Sequence, residues 1–150
     1  MIIYFDASAL VKRYVAEVGS ASVERLVGQA EVAGTAVITR AEVAAALAKA
    51  VRIGLLGKEE ASLALRVFNG EWENFVRIQM TEVVISRAAI LAWDYGLRGY
   101  DAVHLASALF WQDMLGESIV VASFDRELWE ATRLAGLTSW PEKLIKKGGA

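Results

Sequence analysis

The stretch Met1-Ile2-Ile3-Tyr4-Phe5-Asp6-Ala7-Ser8-Ala9-Leu10-Val11-Lys12-Arg13-Tyr14-Val15 decides the fold. Its first five residues form a short apolar run rich in β-formers, which predicts a strand ending at Asp6. From Ser8 to Glu17 the apolar residues Leu10, Val11, Tyr14 and Val15 fall at helical spacing. The reading is strand, tight turn, helix, with a carboxylate at the turn.

Moving outward, the pattern repeats. A helix is expected over Ser20–Ala30, with Val23, Leu26 and Val27 on one face, and a buried strand over Val32–Ile38. Thr39 stands where a helix N-cap would, ahead of an alanine- and leucine-rich helix at Arg40–Ile53 that Gly54 would stop. Lys58–Phe75 predicts another helix, Val76–Met80 a weak strand, and Thr81 a cap for a helix ending at Tyr95 before Gly96. Asp101–Leu115 repeats apolar residues at Ala102, Leu105, Ala106 and Leu109, and Ser118–Ala122 is a fully apolar strand. Asp125 opens a helix to about Ala135, and a short strand at Leu137–Trp140 precedes the only proline, Pro141. Strands alternating with helices, without hairpin signals, predict an α/β fold with a mainly parallel sheet between helical layers. Such sheets bind ligands beyond the carboxyl ends of their strands.

Composition narrows the function. With 150 residues and 55% hydrophobic content the chain can bury a core as one domain. The absence of cysteine excludes disulfides and thiolate metal sites. No apolar run reaches membrane-spanning length, and with no signal-peptide pattern at Met1-Ile2-Ile3 a cytoplasmic location is expected. A formal charge of −2 argues against a passive nucleic-acid binder held by counterion release. It leaves room for an enzyme whose acids gather around metal ions while a few local bases meet the substrate.

Four acids fall where such a sheet binds ligands. Asp6 and Asp125 follow strands, while Glu42 and Asp101 lie in or before the first turns of helices. Singly, each also reads as a helix-start carboxylate, favoured by capping and by the helix dipole. Together they repel, which raises their pKa values unless a cation lies between them. Oxygen ligands without His or Cys suit Mg²⁺ or Mn²⁺. A divalent ion with open positions polarises a phosphate and activates water, the apparatus of phosphodiester hydrolysis.

The segments Asp6-Ala7-Ser8-Ala9-Leu10-Val11-Lys12-Arg13-Tyr14, Thr39-Arg40-Ala41-Glu42, Leu97-Arg98-Gly99-Tyr100-Asp101-Ala102-Val103-His104-Leu105-Ala106 and Ser123-Phe124-Asp125 resemble the PIN-domain ribonucleases, and within them the VapC toxin branch. The resemblance spans about residues 1–140, with the motifs in the family's order. It implies a three-layer α/β/α fold, taken to cover 1–145; the residues at 146–150 read, from the sequence itself, as a frayed tail. It also implies an RNA substrate cut at phosphodiester bonds, with Asp6 and Asp101 as principal metal ligands and Glu42 and Asp125 completing the pocket. A homodimer and an antitoxin partner that blocks the site are implied as well. A free-standing PIN nuclease or a non-catalytic PIN-fold module are the alternatives.

Other residues have candidate supporting roles. Ser8, Thr39 and Ser123 can orient carboxylates, or simply cap helices. Arg40 and Arg98, then Lys12, Arg13 and Arg126, lie close in sequence to the acids and can meet phosphates, although each also reads as solvated surface charge. His104, the only histidine, shares a helix face with Asp101 and reads first as a packed, hydrogen-bonded residue and second as a general acid. Trp72, Trp93, Trp111 and Trp129 sit in predicted helices and read as packing or interface residues rather than base-stacking platforms. Two other enzyme and signalling classes begin with an Asp after an apolar strand. A haloacid-dehalogenase-type phosphohydrolase needs a second Asp where Ser8 stands, and a receiver domain needs adjacent acids where Asp6 stands alone.

Overall fold

The apolar run that opens the chain forms β1 (Ile2–Phe5), and Asp6 turns it directly into α1 (Ala7–Tyr14) in the computed structural model, which describes residues 1–144. There follow α2 (Ser20–Gln29), β2 (Val32–Ala36), α3 (Thr39–Arg52), α4 (Lys58–Glu71) with a 3₁₀ turn at Trp72–Asn74, and β3 (Val76–Ile78). The second half supplies α5 (Glu82–Tyr95), α6 (Gly99–Leu115), β4 (Val120–Ala122), α7 (Arg126–Leu134) and β5 (Thr138–Trp140). The expected boundary at 145 and the tail at 146–150 lie outside the described residues.

All five strands are parallel, in the order β3-β2-β1-β4-β5. β1 is therefore the central strand, covered on both faces, which is why its sequence is apolar without alternation. Ile3 and Phe5 point into one core with Leu10 of α1, Val43 and Leu47 of α3 and Phe68 of α4. Tyr4 points into the other, with Val84 of α5, Leu105 of α6 and Leu128 of α7. Each large apolar side chain so buried contributes roughly 1.5–3 kcal/mol.

Three local features decide where the chain turns. α1 stops at Tyr14, short of the expected Glu17, because Ser20 intervenes: its hydroxyl donates to the Val15 carbonyl at 2.7 Å and accepts from the Glu17 N–H at 2.9 Å. Thr39 is the first residue of α3 and not its cap; Ile38 holds that position without a side-chain bond. Its hydroxyl instead accepts from Thr35 at 2.7 Å, and both threonines are fully buried at the end of β2. By contrast Thr81 caps α5 as expected, accepting from the Val84 N–H, and Gly96 ends that helix at φ +64°.

β2 and α6 approach closely. A Cβ at Gly34 would lie 2.6 Å from two ring carbons of Trp111, so only glycine lets the indole rest against the strand. Trp72, Trp111 and Trp129 pack in the interior as expected, whereas Trp93 is 89% exposed on α5. No helix among the described residues is long and apolar enough to cross a membrane.

Candidate active site

The strand order reverses at β1, whose neighbours β2 and β4 lead away in opposite directions, and the ends of β1 and β4 open the crevice where parallel sheets bind ligands. Phe5 pairs with Ala122, and the Asp6 N–H extends the ladder to the Ala122 carbonyl at 3.1 Å. Asp6 and the Ser123–Asp125 turn are thereby fixed side by side.

Asp6 is 3% exposed and saturated with donors. One oxygen, Oδ1, accepts the Ala9 N–H at 2.9 Å and caps α1, while Oδ2 accepts the Ser123 hydroxyl at 2.6 Å; Ser8 donates across both at 2.7 and 3.0 Å. Each serine is itself held by backbone: Ser8 Oγ accepts from the Phe124 N–H and Ser123 Oγ from the Asp125 N–H. Both therefore hold the Asp6 carboxylate in one orientation. Burial is the largest influence on Asp6 and raises its pKa, although the His104 charge and the serine bonds oppose it.

Asp125 also serves two ends. Its Oδ1 caps α7 through the Leu128 N–H at 3.2 Å, and Oδ2 accepts from Arg98 at 3.0 Å. Capping and site membership are compatible here because a carboxylate has two oxygens. Asp101, in the first turn of α6, is 2% exposed and bonds the same guanidinium at 3.2 Å. Burial first, then the Asp125 charge, push Asp101 up to about 6 despite Arg98. Arg98 thus bridges two carboxylates from a half-exposed position, its guanidinium 4.9 Å from the Tyr100 ring.

Glu42 faces elsewhere. Its Oε1 lies 2.6 Å from His104 Nε2, and the opposite ring nitrogen, Nδ1, lies 2.7 Å from the Tyr4 hydroxyl. His104 is 2% exposed. Its burial favours the neutral ring, yet the Glu42 bond and the charges of Asp6, Glu42 and Asp101 outweigh that and raise its pKa. The packed, hydrogen-bonded reading of His104 holds, and Tyr4 joins the site although nothing in the sequence singled it out. The parity of Tyr4 with Asp6 along β1 was the available signal; the pairing of α6 with α3, 62 positions apart, had none.

The remaining basic residues separate from the acids. Lys12 is bound to Glu17 and the Val18 carbonyl, and Arg13 to Glu24 and Glu71. Arg13 lines a cleft between α1, α2 and α4 with Glu60, Leu63 and Val67. Arg126 reaches Glu130 and the Leu144 carbonyl. Arg40 is exposed at the start of α3, with its guanidinium 5.9 Å from the Trp72 ring. Thr39 contacts Thr35 rather than any of the four acids.

Among the described residues no three His, Asp or Glu side chains form a ready-made ion-binding group. The donor set nonetheless fits a hard divalent cation: it is all oxygen, and Asp6 and Asp101 are nearly sealed from water with pKa values pushed upward. A cation there relieves the charge that burial penalises, and Arg98 now supplies part of that relief.

Comparison with known proteins places the chain. The family model for the PIN domain matches residues 3–134. Ribonuclease VapC45 of Mycobacterium tuberculosis is 38% identical over 143 residues, 95% of this chain and 97% of the relative. Among solved structures, FitAB bound to an IR36 DNA fragment matches with a TM-score of 0.66 at 19% identity, covering 93% of this chain and 94% of that one. A toxin–antitoxin complex from Klebsiella pneumoniae matches with a TM-score of 0.52 at 16% identity, covering 82% and 88%. At those identities the structural likeness speaks for the fold.

Proposed function

The chain belongs to the PIN-domain family, and on that premise we propose that it is a divalent-metal-dependent endoribonuclease that serves as the toxin of a toxin–antitoxin pair. One observation carries the reading: two carboxylates, Asp6 and Asp101, are buried at the carboxyl edge of the sheet with raised pKa values, Asp125 shares Arg98 with Asp101, and Glu42 is tied through His104 to the helix that carries Asp101. A buried acid costs stability unless it is paired and hydrogen-bonded, and perturbed acids gathered in a crevice point to a functional site. The relative named as a ribonuclease supports RNA as the substrate, and the toxin–antitoxin complex among the fold neighbours supports an antitoxin partner.

Asp6 and Asp101 would hold Mg²⁺ or Mn²⁺, with Glu42 and Asp125 completing the pocket. When bound, the ion polarises the scissile phosphate and lowers the pKa of water. The protein's own residues do the positioning. Ser8 and Ser123 keep Asp6 in one rotamer, so its oxygens do not reorganise when a ligand arrives. Arg98 leaves the two carboxylates it bridges and, from its half-exposed position, meets a backbone phosphate at the rim. Arg40, exposed at the start of the helix that carries Glu42, is placed for a second phosphate contact.

A homodimer is part of the proposal. Val83, Ile90 and Trp93 form an exposed apolar stripe on α5, 69%, 62% and 89% exposed, with Met114 of α6 at 71%. Sedimentation at micromolar concentration should give a dimer that Trp93→Glu dissociates; a monomeric wild type refutes this element.

The deciding experiment is incubation of the purified chain with total cellular RNA and Mg²⁺ or Mn²⁺, followed by sequencing of the new ends. Cuts that vanish with chelator and with Asp101→Asn establish the activity and its substrate together. Cuts that survive either control refute the metal-dependent reading.

A further inference from the structure

Glu42 is 23% exposed and could be solvated by water, yet it is tied to a ring with almost no solvent contact. We propose that His104 and Tyr4 are positioning residues for Glu42: the imidazole presents an Nε2–H to the carboxylate, and the tyrosine hydroxyl holds the ring from behind in that orientation. The proposal rests on the reading of Glu42 as a member of the metal site.

Counting hydrogens gives the direction of the chain. An ionised carboxylate only accepts, so the 2.6 Å contact needs a hydrogen on Nε2. In a neutral ring Nδ1 is then bare and accepts the Tyr4 O–H at 2.7 Å. In a charged ring Nδ1–H donates to the Tyr4 oxygen. A phenol serves both states, so Nε2–H faces Glu42 whichever state the ring is in. Tyr4 itself is fully buried in the core and meets the imidazole edge-on, with ring centroids 5.9 Å apart.

Placement makes this a device of the site and not only of the core. Tyr4 lies on β1 two residues before Asp6, His104 lies on α6 three residues after Asp101, and Glu42 lies in the first turn of α3. One imidazole therefore cross-links the three elements that deliver three of the four acids. Rotation of the ring would free the Glu42 side chain, whose one hydrogen bond among the described residues is the one to His104.

His104 is the only histidine, so its ring signals in a ¹⁵N–¹H spectrum identify themselves. The wild type should show a hydrogen on Nε2 at every pH at which the chain is folded. Mn²⁺ affinity should weaken roughly 10–100-fold in His104→Ala, the range typical of partners that orient metal ligands. His104→Gln should recover most of it, since its amide N–H reaches the Nε2 position, and Tyr4→Phe should fall between, with the Nε2-bare tautomer appearing. In RNA cleavage the loss should fall on kcat and leave KM unchanged. A bare Nε2 in the wild type overturns the proposal, as does a His104→Ala protein that melts lower but binds Mn²⁺ normally. Glu42→Gln separates the two ideas. If it binds Mn²⁺ as tightly as wild type, the reading of Glu42 as a ligand fails and takes this proposal with it; if it weakens binding while His104→Ala does not, the positioning proposal alone fails.

Discussion

Asp6 and Asp101 are almost equally buried, at 3% and 2%, yet the chain compensates them by different means. Asp6 is surrounded by neutral donors, two hydroxyls and a backbone N–H, each anchored by further backbone contacts. Asp101 depends on a cationic side chain that is itself 55% exposed. Fixed dipoles hold a carboxylate in place without leaving; a solvent-reachable arginine can leave. One side of the site is permanent framework and the other is set up to exchange its counter-charge.

The largest test replaces each acid with its amide. Asp6→Asn and Asp101→Asn should both reduce RNA cleavage by more than the roughly 10–100-fold that orienting partners cost. Their stabilities should diverge. Without added metal Asp101→Asn should melt higher at neutral pH, because it removes a buried charge that only Arg98 offsets, whereas Asp6→Asn should melt lower, because an amide cannot accept from all three donors. Equal shifts in thermal unfolding would break the comparison.

Next in size is Ser123→Ala. It removes the 2.6 Å donor to Asp6 and leaves the Asp125 N–H without its acceptor, a loss of about 1–3 kcal/mol in denaturant unfolding. The matching change on the other side, Arg98→Ala, should raise the Asp101 pKa further, as read by carboxyl NMR, and should lower stability at neutral pH, where the ionised Asp101 loses the charge that offsets it.

Acidity sharpens the contrast. Asp101 titrates near 6 in the folded chain and at 3.8 in the absence of its surroundings, so the folded state binds this proton more tightly. Its contribution to stability is full below about 3.8 and is lost as pH rises through about 6. Metal-free protein should accordingly lose melting temperature across that window, and saturating Mn²⁺ should flatten the slope. The smallest effect belongs to Arg13→Gln in the cleft away from the acids, where loss of the Glu24 and Glu71 pairs should cost less than about 1 kcal/mol and leave kcat unchanged.

Much of this was legible in the sequence because it is written locally. The run Ile2–Phe5 ending at Asp6, the cap at Thr81 and the stop at Gly96 are each decided by a few adjacent residues, and the structure has them where they were expected. The order of strands and helices likewise follows from alternating periodicities. What the sequence hid depends on contacts between distant segments. Thr39 reads as a cap until Thr35 is placed beside it, and Arg13 reads as a phosphate contact until α2 and α4 bring up Glu24 and Glu71. Tyr4 reads as core, which it is; that its hydroxyl reaches His104, 100 positions away, is a property of the fold alone.

The strand order has a consequence for how the molecule is made. β1 is made before the other four strands but occupies the centre of the sheet, and one of its two edges stays open until β4 is synthesised. Asp6 is synthesised 117 residues before Ser123, whose hydroxyl locks it, and Asp125 follows Ser123. At ordinary elongation rates of roughly 5–20 residues per second, that gap is on the order of ten seconds. A half-made chain carries Asp6, then Glu42, then Asp101, without the strand that draws them together. The acid cluster is therefore assembled only once β4 has been made, whatever the order in which the acids themselves are synthesised.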